Sequence, residues 1–230
     1  MKRISILQPS YLPWLGYFDQ MARVNAFVFL DDVQFTRRDW RNRNRIRTQE
    51  GWAWLTVPVI QKGKFEQTLL DVEIDHSKQW IGKHLKNFRS HYSKTPQFGF
   101  YFPQLESILC KRHERLVDLC LETCLWLKES LGIETAIFRS SELEVEGSKT
   151  GRILNICRKL SATHYLSGDS ARDYLREDRF SRYNIELEYQ NYGHPEYPQR
   201  YSGFEPYLSV VDLLFNCGGD SLNILIGSTG

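Results

Sequence analysis

An arginine-rich segment is the strongest chemical signal in this 230-residue chain. The stretch TRRDWRNRNRIRT, residues 36–48, contains six arginines and one aspartate in thirteen positions. Guanidinium groups match phosphate oxygens through paired hydrogen bonds, so a few converging arginines suit a diphosphate. Six arginines cannot all line one small site, and we predict that Arg41 and Arg43 bind the anion.

The backbone conformation decides which of these arginines lie together. In an extended chain, alternate side chains point to the same side. Residues 41–47 would then carry asparagines on one side, at Asn42 and Asn44, and arginines on the other, at Arg41, Arg43, Arg45 and Arg47. Arg37 and Arg38 are expected to be solvated or paired with acidic groups, as is any arginine that does not reach the ligand.

The positive charge is confined to this segment. The chain has 30 basic and 28 acidic residues, for a formal net charge of +2. Without the six arginines and Asp39, 24 basic and 27 acidic residues are left, for a net charge of −3. Nucleic-acid binders usually spread basic residues over a whole face, because affinity grows with each phosphate neutralised. The distribution therefore favours a small phosphorylated partner, such as a sugar nucleotide, over a nucleic acid.

A stiff aromatic loop precedes the arginine segment. In QPSYLPWLGYF, residues 8–18, Pro9 and Pro13 fix the backbone, and Gly16 lets the chain turn into a helix. The aromatic side chains would form a wall near a helix N-terminus, a position that suits an anion. These side chains are Tyr11, Trp14, Tyr17 and Phe18. The alternative is a packing loop that buries the same rings.

Three carboxylates are the candidate general bases. Asp31 and Asp32 follow an apolar run, where they would bind a metal, hold a sugar hydroxyl or pair with the arginines downstream. Asp212 shares one stripe of an apolar helical pattern with Ser209 and Asn216. Ser209 and Asp212 also resemble a capping box, which is the structural alternative to a catalytic role.

Two other stretches were considered as ligand-binding loops. YLSGDSARDYL, residues 165–175, places Ser167, Gly168 and Asp169 directly after a predicted strand. EGSKTGRILNIC, residues 146–157, fails the P-loop pattern because its lysine does not follow a glycine. We therefore expect ligand contacts from the first stretch only.

The cysteines indicate buried, reduced thiols. Their number, five, is odd, and most lie in apolar helical patterns. His113 lies near three of them in sequence, but the spacing matches no common zinc pattern. No signal peptide and no 18-residue apolar run are evident. We predict no metal site, no membrane span and a cytoplasmic location.

The order of elements predicts an α/β fold. Apolar runs without alternation predict strands buried on both faces, at 3–7, 26–32, 134–140, 163–168 and 185–190. Helical patterns lie at 15–24, 77–92, 103–132 (a stretch long enough to be two helices), 150–161, 171–178 and 209–216. Residues 52–59 and 69–75 alternate and predict a short antiparallel insertion. We expect a Rossmann-like three-layer sheet in one domain, residues 1–230, with residues 77–132 as a candidate helical subdomain.

Several stretches resemble the WbqC-like family. They are QPSYLPWLGYFDQMARVNAFVFLDDVQFTRRDWRNRNRI, WLTVPV, THYLSGDSARDYL and YPQRYSGFEPYLSVVDLLFNCGG. The resemblance runs from Ile4 to about Gly218 and implies a role beside bacterial O-antigen and other surface-polysaccharide genes, for which glycine transfer has been suggested. It implies no settled catalytic residue. The motif positions that carry over are Gln8, Pro9, Tyr11, Pro13, Trp14, Gly16, Tyr17, Asp31, Asp32, Gln34, Trp40, Arg41, Asn42, Arg43, Gly168, Gln199, Ser209 and Asp212.

The opening of the chain is also similar to nucleotidyltransferases and pantothenate-synthetase-like ligases. Those proteins begin with a strand, a proline-containing loop and an H-x-G-H motif at the turn into a helix. Here that position is Trp14-Leu15-Gly16-Tyr17, so the glycine is kept and both histidines are absent. Without imidazolium to stabilise a pentavalent phosphorus, the similarity implies a nucleotide pocket reused for a sugar nucleotide or an activated acyl donor.

Together these observations predict a transferase of surface-polysaccharide assembly that moves an aminoacyl or acyl group onto an amino sugar or a sugar nucleotide. No Ser/His/Asp or Cys/His pattern indicates a covalent intermediate, so direct attack on an activated donor is expected. No particular cofactor is implied beyond that donor or a nucleotide. Predicted ligand-binding residues are Gln8, Tyr11, Trp14, Gly16, Tyr17, Gln34, Trp40, Arg41, Asn42, Arg43, Ser167, Gly168, Gln199 and Ser209.

Two alternatives stay open. One is a degenerate nucleotidyltransferase or ATP-dependent amide ligase that uses the reused nucleotide pocket. The other is a non-catalytic RNA-binding protein in which Trp40 and the arginines stack on a single strand. The acidic remainder of the chain counts against the second alternative.

Overall fold

A computed structural model describes residues 1–36, 39–64, 66–172 and 175–227. The strands, in chain order, are β1 (Arg3–Leu7), β2 (Ala26–Phe29), β3 (Arg43–Thr48), β4 (Gly51–Thr56), β5 (Ala136–Arg139), β6 (His164–Ser167) and β7 (Glu186–Tyr189). The α-helices are α1 (Leu15–Ala22), α2 (Trp80–Tyr92), α3 (Phe98–Cys110), α4 (Leu116–Ser130), α5 (Lys149–Lys159), α6 (Glu177–Ser181), α7 (Val210–Cys217) and α8 (Ser221–Gly227).

Five strands form a parallel sheet in the order β5-β2-β1-β6-β7. The chain moves outward from β1 through β2 to β5, then returns to the other side of β1 for β6 and β7. The order of the strands therefore reverses between β1 and β6. In open α/β sheets, ligands bind beyond the carboxyl ends of the strands at such a switch point. The predicted α/β fold with a mainly parallel sheet is confirmed.

Side chains cover both faces of this sheet. Ile4 and Ile6 of β1 belong to a buried cluster with apolar residues of α5 and α6. Phe27 and Phe29 of β2 belong to a second cluster with residues of α1–α4 and α7. Successive strand residues point to opposite faces, so a strand between two helical layers buries both sets of side chains. This explains the unbroken apolar run of β2, AFVF, whereas β1 (RISIL) and β7 (ELEY) alternate apolar and polar residues.

The antiparallel insertion uses a different strand pair from the predicted one. β3 pairs with β4, whereas residues 69–71 form a 3-10 turn. The two segments predicted to pair are joined, within the described residues, by an isolated antiparallel bridge between Val59 and Ile74. β3 was missed because Ile46 is its single apolar residue, and arginines alternate with Asn44 and Ile46 of its inner face. The predicted short antiparallel insertion is therefore present, but its strands are β3 and β4, and the pairing of 52–59 with 69–75 is reduced to one bridge.

The helices differ from prediction mainly at their ends. The 103–132 pattern is two helices, α3 and α4, as the length of the stretch allowed. α3 begins at Phe98, so Pro103 lies inside it rather than at its first position. The pattern at 171–178 becomes a 3-10 turn at Asp169–Ala171 and the start of α6, with residues 173 and 174 outside the described part. α8 was not predicted.

One described helical stretch, Val210–Gly227, is apolar and long enough to cross a membrane by length and composition, which the sequence analysis did not expect. Half of it is buried inside the fold, and it includes the fully buried Asp212. Core helices of soluble proteins meet the same criterion, so the stretch is weak evidence for a membrane span. The compact α/β domain is compatible with a soluble protein.

Candidate functional site

A cavity of about 460 Å³ lies at the switch point of the sheet. Leu7 and Ser10 line it after β1, Gly168 after β6, and Gln190 and Tyr192 after β7. Pockets of this volume hold small organic ligands and cofactors. The other lining residues come mainly from α1 and the β3 region: Pro13, Trp14, Tyr17, Gln20, Trp40, Arg41, Asn44, Arg45, Asp169, Ser170 and Tyr207.

Arg45 gives the cavity a fixed positive charge. Its guanidinium carbon lies 5.3 Å from the ring centroid of Trp40, 5.0 Å from that of Trp52 and 5.9 Å from that of Trp54. It also donates a hydrogen bond of 3.2 Å to the carbonyl of Tyr207. Burial lowers the pKa of Arg45, but the group stays protonated at neutral pH. A cation held this way loses little freedom when it binds an anion, and partial desolvation strengthens the attraction.

Arg41 is fixed against the loop that follows β1. Its Nη1 donates to Ser10 Oγ at 2.7 Å and to the Gln8 carbonyl at 3.4 Å. Asp39 lies 3.4 Å from Arg41 Nε and caps the turn Trp40–Asn42 through its carboxylate. Arg41 therefore lines the cavity from a 3-10 turn rather than from a strand.

The remaining arginines of the segment have other positions. Arg43 stacks over Trp54 at 4.4 Å and is not among the residues that line the cavity. The turn before β3 breaks the extended register, so Arg41 and Arg43 do not point together. Arg37 and Arg38 lie outside the described residues. Arg47 is buried and donates to the backbone carbonyls of Thr48, Gly51, Ser202 and Gly203.

A chain of buried amides forms the floor of the cavity. Ser5 Oγ donates to Gln20 Oε1 (2.8 Å), and Gln20 Nε2 donates to Gln190 Oε1 (2.7 Å). Gln190 Nε2 donates in turn to Asp19 Oδ2 at 2.7 Å, and burial raises the pKa of that carboxyl. A Cβ at Gly168 would lie 3.2 Å from Gln20 Nε2, so the glycine lets this chain reach the floor. Neither glutamine was predicted from the sequence, although a polar residue on the apolar face of α1 and one directly after β7 were available signals.

Trp14 folds over the start of α1. Atoms of its ring lie 2.3 Å from the position that a Cβ at Gly16 would occupy. Its indole contacts the rings of Tyr192 (5.5 Å between centroids), Tyr207 (5.9 Å) and His194 (6.5 Å). Burial lowers the pKa of His194, which keeps the ring neutral, and its Nε2 accepts the Tyr207 N–H at 3.1 Å. These contacts hold Trp14 as one wall of the cavity.

Gly16→Ala is expected to weaken binding of a phosphorylated ligand several-fold, because the added methyl must displace the Trp14 ring. Alanine favours a helix over glycine by about 1 kcal/mol, so thermal unfolding should shift little. Gly151→Ala is the matched control, since a Cβ there meets nothing within 4 Å. Ligand titration and thermal melts check both variants. Equal binding by the two variants would contradict a role for Trp14 in the wall.

Asp31 and Asp32 stabilise the edge of the sheet instead of facing the cavity. Asp31 accepts hydrogen bonds from Arg139 Nε (2.7 Å), Ser141 N (3.0 Å) and Ser141 Oγ (2.9 Å). Burial opposes ionisation, but these hydrogen bonds lower the pKa of Asp31 below its usual value. Asp32 pairs with Arg152 and accepts from Ser140 Oγ at 2.6 Å. Both carboxylates are engaged by neighbouring side chains, and neither lines the cavity.

The Asp212 carboxylate is the acceptor of a buried network of side-chain hydrogen bonds. It is fully buried and accepts hydrogen bonds from Tyr92 Oη (2.8 Å), Tyr197 Oη (2.9 Å) and Gln199 Nε2 (3.0 Å). Burial raises the pKa of Asp212 to about 6. Ser209 is the N-cap of α7, but the Asp212 carboxylate bonds to the tyrosines instead of completing a capping box. The predicted capping box is therefore absent, and Asp212 is not among the residues that line the cavity.

The other predicted residues fall into two groups. Those that line the cavity are Trp14, Tyr17, Trp40, Arg41 and Gly168. Those that do not line it are Gln8, Tyr11, Gly16, Gln34, Asn42, Arg43, Ser167, Gln199 and Ser209. Several of the second group support the lining: Gln8 accepts from Tyr17 Oη at 3.3 Å, and Asn42 donates to the Val57 carbonyl at 2.8 Å. Tyr11 is buried and bonds to His84 Nδ1 at 2.9 Å.

Comparison with known proteins gives one family. A family model described as the WbqC-like protein family matches residues 8–224. The chain is 40% identical over 227 residues to an uncharacterized protein of Mycobacterium tuberculosis, and the match covers 98% of each chain. No solved structure was found to match.

Proposed function

The chain belongs to the WbqC-like protein family, and on that basis we propose that it is a transferase acting on a small phosphorylated substrate, such as a sugar nucleotide. The observation that carries this proposal is the position of Arg45 at the wall of the switch-point cavity, held among three indole rings. A preorganised guanidinium at this place suits a phosphate group.

The lining suggests how such a ligand would lie. Arg45 and Arg41 would bind the diphosphate on the side of the cavity that residues 40–45 line. Trp14 and Tyr192, on the side of the strand ends, offer aromatic faces for the base or sugar. The ligand would thus lie with its diphosphate against the cationic wall and its base or sugar against the aromatic wall. This arrangement fits a nucleotide-linked substrate.

The reaction that fits this site is transfer of an aminoacyl or acyl group to an amine. The amine nitrogen attacks the acyl carbon, and the donor's leaving group departs with the bonding electrons. The proton lost from nitrogen goes to a carboxylate, and among the described lining residues that carboxylate is Asp169. Asp169 Oδ1 accepts from Asn191 N–H at 3.3 Å and from Arg172 Nη2 at 3.2 Å, which orients it.

Cys120 and Cys124, whose thiols donate to the carbonyls of the lining residues Arg41 and Ser10, support direct attack over a covalent thioester. Burial raises the pKa of Cys124 to about 12 and raises that of Cys120 well above its ordinary value. A thiol that stays protonated at neutral pH is a poor nucleophile. We also propose that the reaction belongs to surface-polysaccharide (O-antigen) assembly in the cytoplasm of a bacterium, a source that the mycobacterial relative supports.

A second candidate, binding of single-stranded RNA, has one observation in its favour. Trp40, Trp52 and Trp54 are each about 40% exposed, at 40%, 43% and 38%, and arginines lie over them. However, the rings of Trp40 and Trp54 are inclined by 52°, and those of Trp52 and Trp54 by 80°. Bases stack best on parallel faces, so this geometry favours the first candidate.

Thermal-shift screening of the full chain tests the proposal, with nucleotides, sugar nucleotides, activated acyl donors and an oligouridylate as ligands. A ligand at about 100 times its dissociation constant adds roughly 2.7 kcal/mol to the free energy of unfolding. Sugar nucleotides should stabilise the protein, and mass spectrometry should detect acyl transfer to an amino-sugar nucleotide. Pyrophosphate release from ATP with a carboxylic acid would indicate the ligase alternative, and stabilisation by oligouridylate alone would indicate RNA binding.

Asp169→Asn is expected to lower the rate of transfer about tenfold without changing ligand affinity. This is less than the usual contribution of a positioned base, because Asp169 is exposed at the rim and water can accept the proton. Asp178→Asn, on α6, is the control, since that exposed carboxylate lies outside the cavity lining. Initial rates at saturating substrate check both variants. Equal rates for Asp169→Asn and the control would remove Asp169 as the base.

A further inference from the structure

A second groove lies at the start of α2, and its lining is basic. The groove has a volume of about 450 Å³ and is lined by Lys83, Lys86 and Arg112 together with Trp80, and also by His76, Gln79, Ile81 and Gly82. No lining residue is acidic. Within residues 1–36, 39–64, 66–172 and 175–227, neither lysine nor Arg112 takes part in an ion pair. The groove therefore carries uncompensated positive charge.

The N-terminus of α2 adds to this charge. The helix has thirteen residues, its N-cap is Gln79, and no side chain caps it. Its first turn contains no acidic residue, and Lys83 follows that turn. The free N–H groups at a helix start carry a partial positive charge, so proteins usually place acidic side chains there. An anion from outside the chain would take the place of those side chains.

A buried indole N–H in the wall of the groove is an observation independent of the charges. Trp80 lines the groove and is 3% exposed, and its Nε1 has no hydrogen-bond acceptor in the part of the chain that the structure describes. Buried donors nearly always have a partner, because a buried donor without an acceptor destabilises the fold. The groove therefore combines three cations without an acidic partner and an unsatisfied donor buried in its wall, a setting that suits a group with several acceptor oxygens.

We propose that this groove binds a phosphate-bearing anion, separately from the switch-point cavity. Lys83 and Lys86 supply mobile point charges, and the N–H groups of α2 supply fixed donors, a combination found in phosphate sites. The volume accommodates a diphosphate. No residue of the groove lines the cavity, so this site does not depend on the function proposed above.

Pyrophosphate titration by calorimetry tests the proposal, with full-length Arg45→Ala as the starting protein so that the cavity contributes little. We expect one binding event in that protein. The added pair Lys83→Gln and Lys86→Gln should weaken it at least tenfold. The pair Lys94→Gln and Lys159→Gln, which removes the same charge elsewhere on the surface, should change it less than twofold.

Two outcomes would overturn the proposal that the groove binds an anion. Loss of all pyrophosphate binding in Arg45→Ala would show that the cavity is the phosphate site. Equal weakening by the two lysine pairs would show diffuse surface attraction, which salt screens. Neither outcome affects the sugar-nucleotide proposal, which fails only if the unmodified protein binds no sugar nucleotide. Circular dichroism of every variant establishes that binding is lost from a folded protein.

Discussion

Arg45→Ala should weaken binding of a phosphorylated ligand by about 1.5–3 kcal/mol, or roughly ten- to 150-fold. The guanidinium lies at the cavity wall, and three indole rings and the Tyr207 carbonyl hold it there. Removing it leaves the phosphate without a preorganised partner, whereas the hairpin keeps its buried face of Asn44, Ile46 and Leu55. Calorimetric titration with the best ligand from the thermal-shift screen measures the loss.

Arg43→Ala is the matched control for this experiment. It removes the same charge from the same strand, but Arg43 stacks on Trp54 and does not line the cavity. We expect it to weaken binding less than threefold, mainly through long-range attraction. If Arg43→Ala and Arg45→Ala weaken binding equally, the segment acts as a diffuse basic surface. If only Arg43→Ala weakens it, the expectation from sequence stands and the ligand lies on the outer face of the hairpin.

The location of the site was predictable because it follows from topology. Parallel strands bring their carboxyl ends to one edge, so the residues after β1 and β6 had to meet there. That rule led to Trp14 and Gly168, both of which line the cavity. It also applies to Gln190, directly after β7, which was overlooked because an isolated glutamine carries no motif.

The partners of the carboxylates were not predictable, because they come from distant parts of the chain. Asp31 bonds to Arg139, 108 positions away, and Asp212 bonds to Tyr92, 120 positions away. A carboxylate after a strand looks the same in sequence whether it faces substrate or a guanidinium. Only the packing of β5 beside β2, and of α2 beside α7, decides between the two roles.

Stability near pH 5 depends on two buried groups with opposite effects. Burial lowers the pKa of His84 to about 4, so its contribution is lost as pH falls from about 6.5 to 4. Burial raises the pKa of Asp212 to about 6, so the native protein holds this proton more tightly than the unfolded chain does. The Asp212 contribution is complete below about pH 4 and is lost as pH rises through 6. In the pH profile of the unmodified protein, the contributions of His84 and Asp212 to the free energy of unfolding therefore oppose each other, and neither is seen separately.

Asp212→Ala should lower the free energy of unfolding by about 3–5 kcal/mol, because the hydroxyls of Tyr92 and Tyr197 and the amide of Gln199 lose a buried acceptor. Chemical denaturation at pH 7 measures this loss, and Asp220→Ala, at an exposed carboxylate just after α7, should cost less than about 0.5 kcal/mol.

Asp212→Asn separates the role of the charge from that of the shape. Asparagine keeps one acceptor and cannot ionise, so its stability lacks the dependence on pH that Asp212 contributes. Raising the pKa from 3.8 to about 6 favours the protonated native state by roughly 3 kcal/mol. The gap in unfolding free energy, that of the unmodified protein minus that of Asp212→Asn, should therefore become more positive by about 2–3 kcal/mol from pH 7 to pH 4. A constant gap would mean that Asp212 keeps its ordinary pKa and is reached by water. A small, constant gap with a hundredfold loss of turnover would restore Asp212 as the general base, since a buried structural carboxylate has no such effect on rate.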